Sequence, residues 1–421
     1  MGRSTGRADL PLHAGRVPPW LATRMAALGR VVVEALVIEF GRGEVLARLA
    51  HPFWFQSLGA VMGMDWHSSG ITTSVLGALK RGLEPVAHEL GLYVCGGRGK
   101  QSRKTPDELR AYGHTTGLDG DALARTSRLV AKVDNTAVQD GFQIYLHSFV
   151  LSADGEWAVV QQGMSPSTQT ARRYHWLSCG LDGFFDDPHA AIDGKSGGEI
   201  RNLSDARASA NRSGQLALVA DGPDPIIAAL ERTKEPTPQL VMPGHHDVRP
   251  KDVSARRLYG TLRAAAEASP SSFDSLLLVP GVGPRTMASL AMVSEVIYGA
   301  PSRFTDPARF SLAHGGKDGH PFPVPLAVFD TTIRVTRNAV ERAKLGRSDT
   351  LAAMEALDRQ ARAIERSASE EEIALVDVAR IIEEERVLSH RYGGMTVNGP
   401  ARKPAVRPQK KTSQLSFPGV E

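Results

Sequence analysis

Cysteine is scarce in this sequence: Cys95 and Cys179 are the only two among 421 residues. Two cysteines exclude a framework of several disulfides and a four-cysteine zinc site. Long apolar runs are also missing, since no stretch reaches the roughly 18 apolar residues that would cross a membrane. The first twenty residues lack the apolar segment of a secretory signal. These absences predict a cytoplasmic protein with no membrane partner.

Net charge is modest, at +4, but the basic residues are clustered. The clusters are "RGKQSRK" (98–104), "ARR" (171–173) and "ARKPAVRPQKK" (401–411). A basic cluster attracts a polyanion because binding releases condensed counterions. The clusters together favour DNA as a partner, double-stranded or branched, whereas a solvated surface is the simpler explanation of any one cluster alone.

Apolar spacing divides the chain into parts of different secondary structure. Residues 1–220 are typical of a mixed α/β domain, in which "DGFQIYLHSFVLSADGEWAVVQQG" (140–163) predicts a β-hairpin turning at its central Asp-Gly. Residues 225–395 show helical spacing and predict an all-helical domain beyond a linker near 200–225. The basic, proline-rich residues 396–421 are predicted to be disordered. The predicted fold class is therefore α+β.

Alternation along the first strand of this hairpin predicts two faces. One face holds Gln143, Tyr145, His147 and Phe149, and the other holds Ile144, Leu146, Ser148 and Val150. The strand therefore offers polar side chains beside an apolar face.

The stretch "LLLVPGVGPRTMASLAMV" (276–293) places two glycines between two helical patterns. Gly281 and Gly283 permit backbone angles that a Cβ would hinder, and they let a phosphate approach closely. Pro284 suits the first turn of the second helix, whose free N–H groups carry partial positive charge. The pattern predicts an anion seat for the DNA backbone, made by Gly281, Val282, Gly283, Arg285 and Thr286. The alternative is a tight corner between two helices, with core faces formed by Phe273, Leu276, Leu277, Met287, Leu290, Ala291 and Ile297.

The segment "LVPGVGPRT" resembles the helix-hairpin-helix motif of DNA-repair proteins. In base-excision glycosylases that carry this motif, a catalytic aspartate follows the hairpin, and "VFDTTIRV" is similar, with Asp330 at that position. This resemblance implies base removal by Asp330 as one hypothesis. Arg285 stands where some of these enzymes have an attacking lysine, and arginine stays protonated, so a lyase reaction is disfavoured. Asp306 is a rival, although an aspartate before proline is typical of a turn.

Acidic residues near a lysine in residues 1–220 suggest a metal-dependent nuclease instead. Carboxylates hold Mg²⁺ or Mn²⁺ in such enzymes, and a lysine stabilises the developing charge. The candidate catalytic residues are Asp65, Lys132, Asp134 and Asp140, with Asp134 and Asp140 as metal ligands. Salt bridges at a strand edge would explain the same pattern.

Two further basic segments are candidates for contact with phosphate. "YVCGGRGKQSRKTP" lacks the first glycine and the hydroxyl of a nucleotide-binding loop, which disfavours a nucleoside triphosphatase. As a flexible basic loop it predicts contact with DNA through Arg98 and Lys100. "TARRYHWLS" predicts that Arg172 and Arg173 hold phosphate, and the alternative is a strand with its aromatics in the core.

The tail "SQLSFPGVE" resembles the bacterial sliding-clamp-binding peptide. Gln414, Leu415 and Phe417 match, with one apolar residue fewer than usual. A peptide on a disordered tether can reach a pocket on a partner. The resemblance implies recruitment to replicating or repaired DNA, and it supports a third hypothesis, a non-catalytic adaptor recruited by the clamp.

Longer motifs, among them "MDWHSSGITTSVLGALK", "GGRGKQSRKTP" and "AKVDNTAVQDGFQIY", closely resemble one prokaryotic family. It is catalogued as domain of unknown function 763, and the resemblance covers roughly residues 5–395. The family implies no chemistry, so the DNA-repair hypothesis depends on the hairpin, the basic clusters and the tail.

Overall fold

The structure is a computed structural model. It describes residues 10–11, 19–64, 69–166, 168, 170–194, 199–232, 255–308, 334, 338, 341, 395–396 and 399–400. Packing groups the chain into two units, residues 1–363 and residues 364–421.

The first unit is built on a six-stranded antiparallel sheet in the order β1-β6-β5-β4-β2, with β7 paired to β6. Its strands are β1 (Leu10–Pro11), β2 (Leu92–Arg98), β4 (Gln143–Ser152), β5 (Trp157–Ser165), β6 (Thr170–Leu177) and β7 (Ala191–Asp193). A separate pair joins β3 (Val138–Gln139) to β8 (Arg201–Asn202), and in the second unit β9 (Met395–Thr396) pairs with β10 (Gly399–Pro400). The predicted hairpin is confirmed as β4 and β5, with Gly155 at a φ of +87° in the turn.

Helices cover most of the remaining described chain. They are α1 (Pro19–Phe40), α2 (Arg42–Ala50), α3 (Pro52–Val61), α4 (Ser69–Leu83), α5 (Ala87–Leu90), α6 (Thr105–Thr116), α7 (Gly120–Lys132), α8 (Ser209–Ala220), α9 (Pro223–Arg232), α10 (Ala255–Ala268), α11 (Phe273–Leu278) and α12 (Pro284–Tyr298). Asp119 caps the start of helix α7, because its carboxylate accepts hydrogen bonds from two backbone amides of the first turn. It continues into a turn of π-helix, Val133–Ala137. No helix of the described residues is both long and apolar enough to cross a membrane.

The alternation predicted along β4 fails at Tyr145. The register between β4 and β5 shifts between Ile144 and Leu146, as a β-bulge does. Tyr145 therefore packs with the cluster that contains Leu146 and Val150, whereas Phe149 belongs to the cluster on the opposite face. The prediction that Tyr145 shares a face with Phe149 is wrong, because the bulge adds one residue to the strand.

Two hydrophobic clusters cover the two faces of the sheet. Helices α1 to α4 supply the first, and the second draws on α6 to α12. Leu129 of α7 and Leu276 of α11 belong to this second cluster, although they lie on opposite sides of the linker predicted near 200–225. The packing therefore continues across that boundary in the described residues.

The glycine turn lies between α11 and α12. Of the residues assigned to the core faces of these helices, all but one are buried. The exception is Ile297, which is 40% exposed near the end of α12. The prediction that Ile297 packs in the core is wrong.

Candidate functional site

The turn between α11 and α12 contains both glycines. Gly281 has a φ of +90°, in the left-handed region that favours glycine. Gly283 is extended and immediately precedes α12, with no side chain capping the helix. The amides of the first turn of α12 consequently lack partners from a cap.

The exposed part of this turn is mostly backbone. Gly281, Pro284 and Arg285 are exposed, while the side chains of Val282 and Thr286 are buried. Apart from its chain neighbours, no described residue has a heavy atom within 4 Å of a Cβ added at Gly283. The described residues therefore leave room beside Gly283.

Lys132 binds the backbone of this turn. Its Nζ donates to the Val282 carbonyl oxygen at 2.5 Å. Burial lowers the pKa of Lys132. The structure thus bonds the predicted catalytic lysine to the glycine turn between α11 and α12 (residues 279–283), called the hairpin turn below.

A second exposed basic element begins at Arg98, the last residue of β2, and continues through a short 3-10 helix, Gly99–Lys104, where a flexible loop was expected. Arg98, Lys100, Arg103 and Lys104 are all exposed in this segment, called the basic loop below. Its base is fixed by a Glu108 carboxylate, which accepts a hydrogen bond from the Gly96 amide at 2.6 Å and pairs with Lys80 at 2.7 Å. The loop therefore combines four exposed cations with an anchored starting point.

The basic loop and the hairpin turn lie near the same end of the sheet. Arg98 is in register with Leu146, at the start of β4. Gln139, seven residues earlier, donates to the Pro284 carbonyl oxygen at 2.9 Å. Seven extended residues span at most roughly 25 Å, which limits the distance between the strand position beside Arg98 and the residue bonded to Pro284.

Arg172 and Arg173 do not face solvent. Arg172 is 1% exposed and pairs with Asp140 and Asp306, each at 2.9 Å. Arg173 is 0% exposed, donates to Thr72 and Gln56 at 3.0 Å, and lies 3.7 Å from Asp193. The prediction that this pair holds phosphate is not supported, because both guanidinium groups are buried and lie against carboxylates of the protein.

Asp134 is completely buried on the opposite face of the sheet from Arg173. Its Oδ2 accepts hydrogen bonds from Gln161 and from Trp176 Nε1, the latter at 2.9 Å, and its Oδ1 lies 2.5 Å from His189 Nε2. The network continues from Gln161 to His147 at 2.7 Å and from His147 to Ser127 at 2.8 Å. Burial lowers the pKa of His147. Asp134 thus anchors a buried polar network.

Asp140 belongs to a different cluster. Its carboxylate accepts from Arg172, from the Tyr174 hydroxyl at 2.6 Å and from the Phe142 amide at 3.0 Å. Burial raises its pKa, in opposition to the charge of Arg172. The predicted metal ligands Asp134 and Asp140 therefore each have donors from the protein, and they do not share a partner. Among the described residues, no three His, Cys, Asp or Glu side chains form a group that could hold a metal ion.

Sequence patterns do not predict three of the partners in these networks. The sequence offers Asp306 as a rival to Asp330 or as a turn residue, and it gives no indication of a role for His189 or Asp193. Each lies 20 or more positions from the side chain it contacts, so local spacing could not reveal it. The remaining candidates lie outside the described residues: Asp65, Asp330, Gln414, Leu415 and Phe417. The clamp-binding interpretation of the tail stays a prediction.

A family model described as protein of unknown function (DUF763) matches residues 6–324, more than half of the chain. The chain belongs to the DUF763 family. The match includes the basic loop, the buried networks and the hairpin turn. No curated protein and no solved structure shows a significant match.

Proposed function

We propose that this DUF763 protein binds DNA and holds its phosphate backbone at the turn between α11 and α12. The observation that carries the proposal is the open, uncapped start of α12. Gly283 leaves free space there, and Arg285 adds an exposed cation. Amides at a helix start together with a guanidinium suit a phosphate oxygen. The resemblance of "LVPGVGPRT" to the helix-hairpin-helix motif supports the same ligand.

The basic loop supplies the second contact. Arg98 and Lys100 are exposed near the same end of the sheet as the turn, so both elements can reach one duplex. Contacts of this kind position a protein on the backbone without reading base sequence. The proposal is therefore sequence-independent binding to duplex or branched DNA in repair.

The proposal assigns binding, and not catalysis, to the described residues. Asp134 and Asp140 are held by protein donors in separate clusters, and Lys132 is bonded to the hairpin turn. Each of these three side chains therefore has a role in the fold that accounts for its position. Cutting by a set that includes Asp65, or base removal by Asp330, remains a hypothesis for an activity assay.

Fluorescence anisotropy with a labelled duplex tests the proposal through Gly283→Glu. Gly283 is extended and has open space, so the substitution should fold normally while it fills the seat with a negative charge. We expect affinity to fall at least about tenfold, a change of about 1.4 kcal/mol. Gly77→Glu is the matched control, because a Cβ at Gly77 likewise has no near contact among the described residues, but Gly77 lies on α4, across the sheet. Equal binding by both variants, or no salt-sensitive binding by the native protein, would overturn the proposal.

Activity is tested by incubating the protein with plain, nicked, branched and abasic duplexes, with and without Mg²⁺ or Mn²⁺. Metal-dependent cutting would support the nuclease hypothesis, and base release that is lost in Asp330→Ala would support the glycosylase hypothesis. Binding without any product supports the adaptor. In that case Gln414→Ala combined with Phe417→Ala should abolish capture by the sliding clamp.

A further inference from the structure

Lys132 lies on the opposite side of a peptide group from the space that a phosphate would occupy. Its ammonium donates to the Val282 carbonyl oxygen at 2.5 Å. The next atom along the backbone is the Gly283 nitrogen. In a planar trans peptide the C=O and the N–H point in opposite directions. The Gly283 N–H therefore points away from Lys132.

This N–H is available to a ligand. Among the described residues it has no acceptor, whereas the neighbouring Val282 amide donates to the Val279 carbonyl oxygen at 3.1 Å. Apart from its chain neighbours, no described residue has a heavy atom within 4 Å of the Cβ position of Gly283. Gly283 thus has both an amide without an acceptor and open space beside it among the described residues.

The lysine acts on this amide through the peptide bond. A cation that hydrogen-bonds a carbonyl oxygen draws electron density from the peptide and makes its N–H a stronger donor. Lys132 is partly shielded from water, so its charge is screened less than that of an exposed lysine. A neutral side chain at this position would give the same orientation with a weaker effect.

Side chains spaced seven residues apart hold the whole hairpin. Arg125 pairs with Asp274 of α11 at 2.8 Å, Lys132 binds the turn, and Gln139 donates to the Pro284 carbonyl oxygen at 2.9 Å. These contacts reach the first helix, the turn and the first residue of the second helix. The orientation of the 282–283 peptide is thereby fixed before any ligand arrives.

We propose that Lys132 is a positioning residue that aims the Gly283 N–H at a phosphate oxygen and polarises it. The inference depends on the proposed DNA binding for its ligand, but its effect on the amide is a property of the free protein. Lys132 itself does not touch the phosphate. This positioning role replaces the catalytic role predicted for Lys132.

NMR of the free protein tests the effect on the amide. The protein is labelled with ¹⁵N-glycine, and Gly283→Ala identifies the Gly283 peak by its loss. Lys132→Met should move that peak upfield in the proton dimension, Lys132→Gln should move it less, and Lys132→Arg least. An unmoved peak in Lys132→Met would overturn the inference, whether or not the protein binds DNA.

Binding of a labelled duplex over a salt series gives the second readout. Lys132→Met should weaken affinity about tenfold with an unchanged dependence of log K on log salt, because no phosphate contact is lost. Lys100→Met, a direct contact in the proposal, should lower that slope by about 1 and leave the Gly283 peak in place. A slope lowered by about 1 in Lys132→Met would mean direct contact and would contradict the inference. Absence of DNA binding by the native protein would remove the proposed function, and the NMR result would still decide the role of Lys132 in orienting the amide.

Discussion

Arg172 of β6 and Asp306 form a two-point ion pair inside the protein, with Nη1–Oδ1 at 3.0 Å and Nη2–Oδ2 at 2.9 Å. Both side chains are 1% exposed. Asp140 adds a second carboxylate, 2.9 Å from Nη1. Parallel N–H···O bonds of this kind give strong and directional pairing. The pair fixes the segment that follows α12 against the central sheet.

Arg172→Met should therefore destabilise the protein strongly. The substitution leaves two buried carboxylates without their cation, and breaking a buried pair costs about 3–5 kcal/mol. Asp306→Asn should cost less, because Asp140 still neutralises Arg172. Urea unfolding measures both free energies. The control is Arg263→Ala, which removes an ion pair exposed by 68% and 66% and should change the free energy of unfolding by about 0.5 kcal/mol or less. Equal losses in Arg172→Met and Arg263→Ala would contradict the buried pairing.

Asp134→Asn separates a structural role from a catalytic one. An amide in place of the carboxylate presents N–H groups to the donors of Trp176, Gln161 or His189, so one donor loses its acceptor. We expect the free energy of unfolding to fall by about 1–3 kcal/mol. Thermal unfolding followed by tryptophan fluorescence gives the measurement, and DNA cutting with Mg²⁺ is assayed on the same sample. Native stability together with lost cutting would instead establish Asp134 in a nuclease site.

Local patterns predicted the elements whose evidence lies within a few residues. The Asp-Gly turn fixed the β4–β5 hairpin, and helical spacing in "VSARRLYGTLRAAAEA" corresponds to α10. In these cases the hydrogen bonds join residues that are close in sequence. Alternation failed on the side of the β4 bulge that holds Ile144 and Tyr145, because the bulge adds a residue before Leu146.

Local patterns do not predict the contacts within the buried polar clusters. "ARRYHW" shows alternation, but alternation does not reveal that each arginine lies against a buried carboxylate. Asp306 lies 134 positions from Arg172 in sequence. Likewise Lys132 and Asp134 are neighbours in sequence, yet the π-helical turn that begins at Val133 directs Asp134 into the core while Lys132 reaches the hairpin. Sequence proximity therefore suggested a shared site where the fold makes two separate contacts.

The contribution of two buried histidines to stability should fall as the pH drops below about 7. Burial lowers the pKa of His147 and of His175 from the reference value of 6.5. The unfolded chain therefore binds more protons than the folded one below that value. The stability contributed by these two neutral histidines is present above pH 6.5, and each histidine removes up to about 1.4 kcal/mol per pH unit below it.

The contribution of a single histidine is measured by substitution. His175→Gln should flatten the dependence of the unfolding free energy on pH between 7 and 5.5, because one buried group no longer takes up a proton on unfolding. His114→Gln is the control, since His114 is exposed on α6. A slope unchanged by His175→Gln would show that His175 does not remain neutral in the fold.

The basic loop should contribute to DNA affinity through charge alone. Lys100→Met removes an exposed cation near the hairpin turn, so binding should weaken to a similar degree for duplexes of different sequence. Arg81→Met removes an exposed cation near the end of α4 and should leave affinity within about twofold. Anisotropy titrations with two unrelated duplexes make the comparison. A loss confined to one sequence would mean that the loop reads bases, and equal losses in the two variants would mean that only net charge matters. Equal losses would remove the loop from the proposed interface, and a loss confined to one sequence would contradict its proposed role, because a positioning contact depends on where the cation lies but not on which bases lie opposite it.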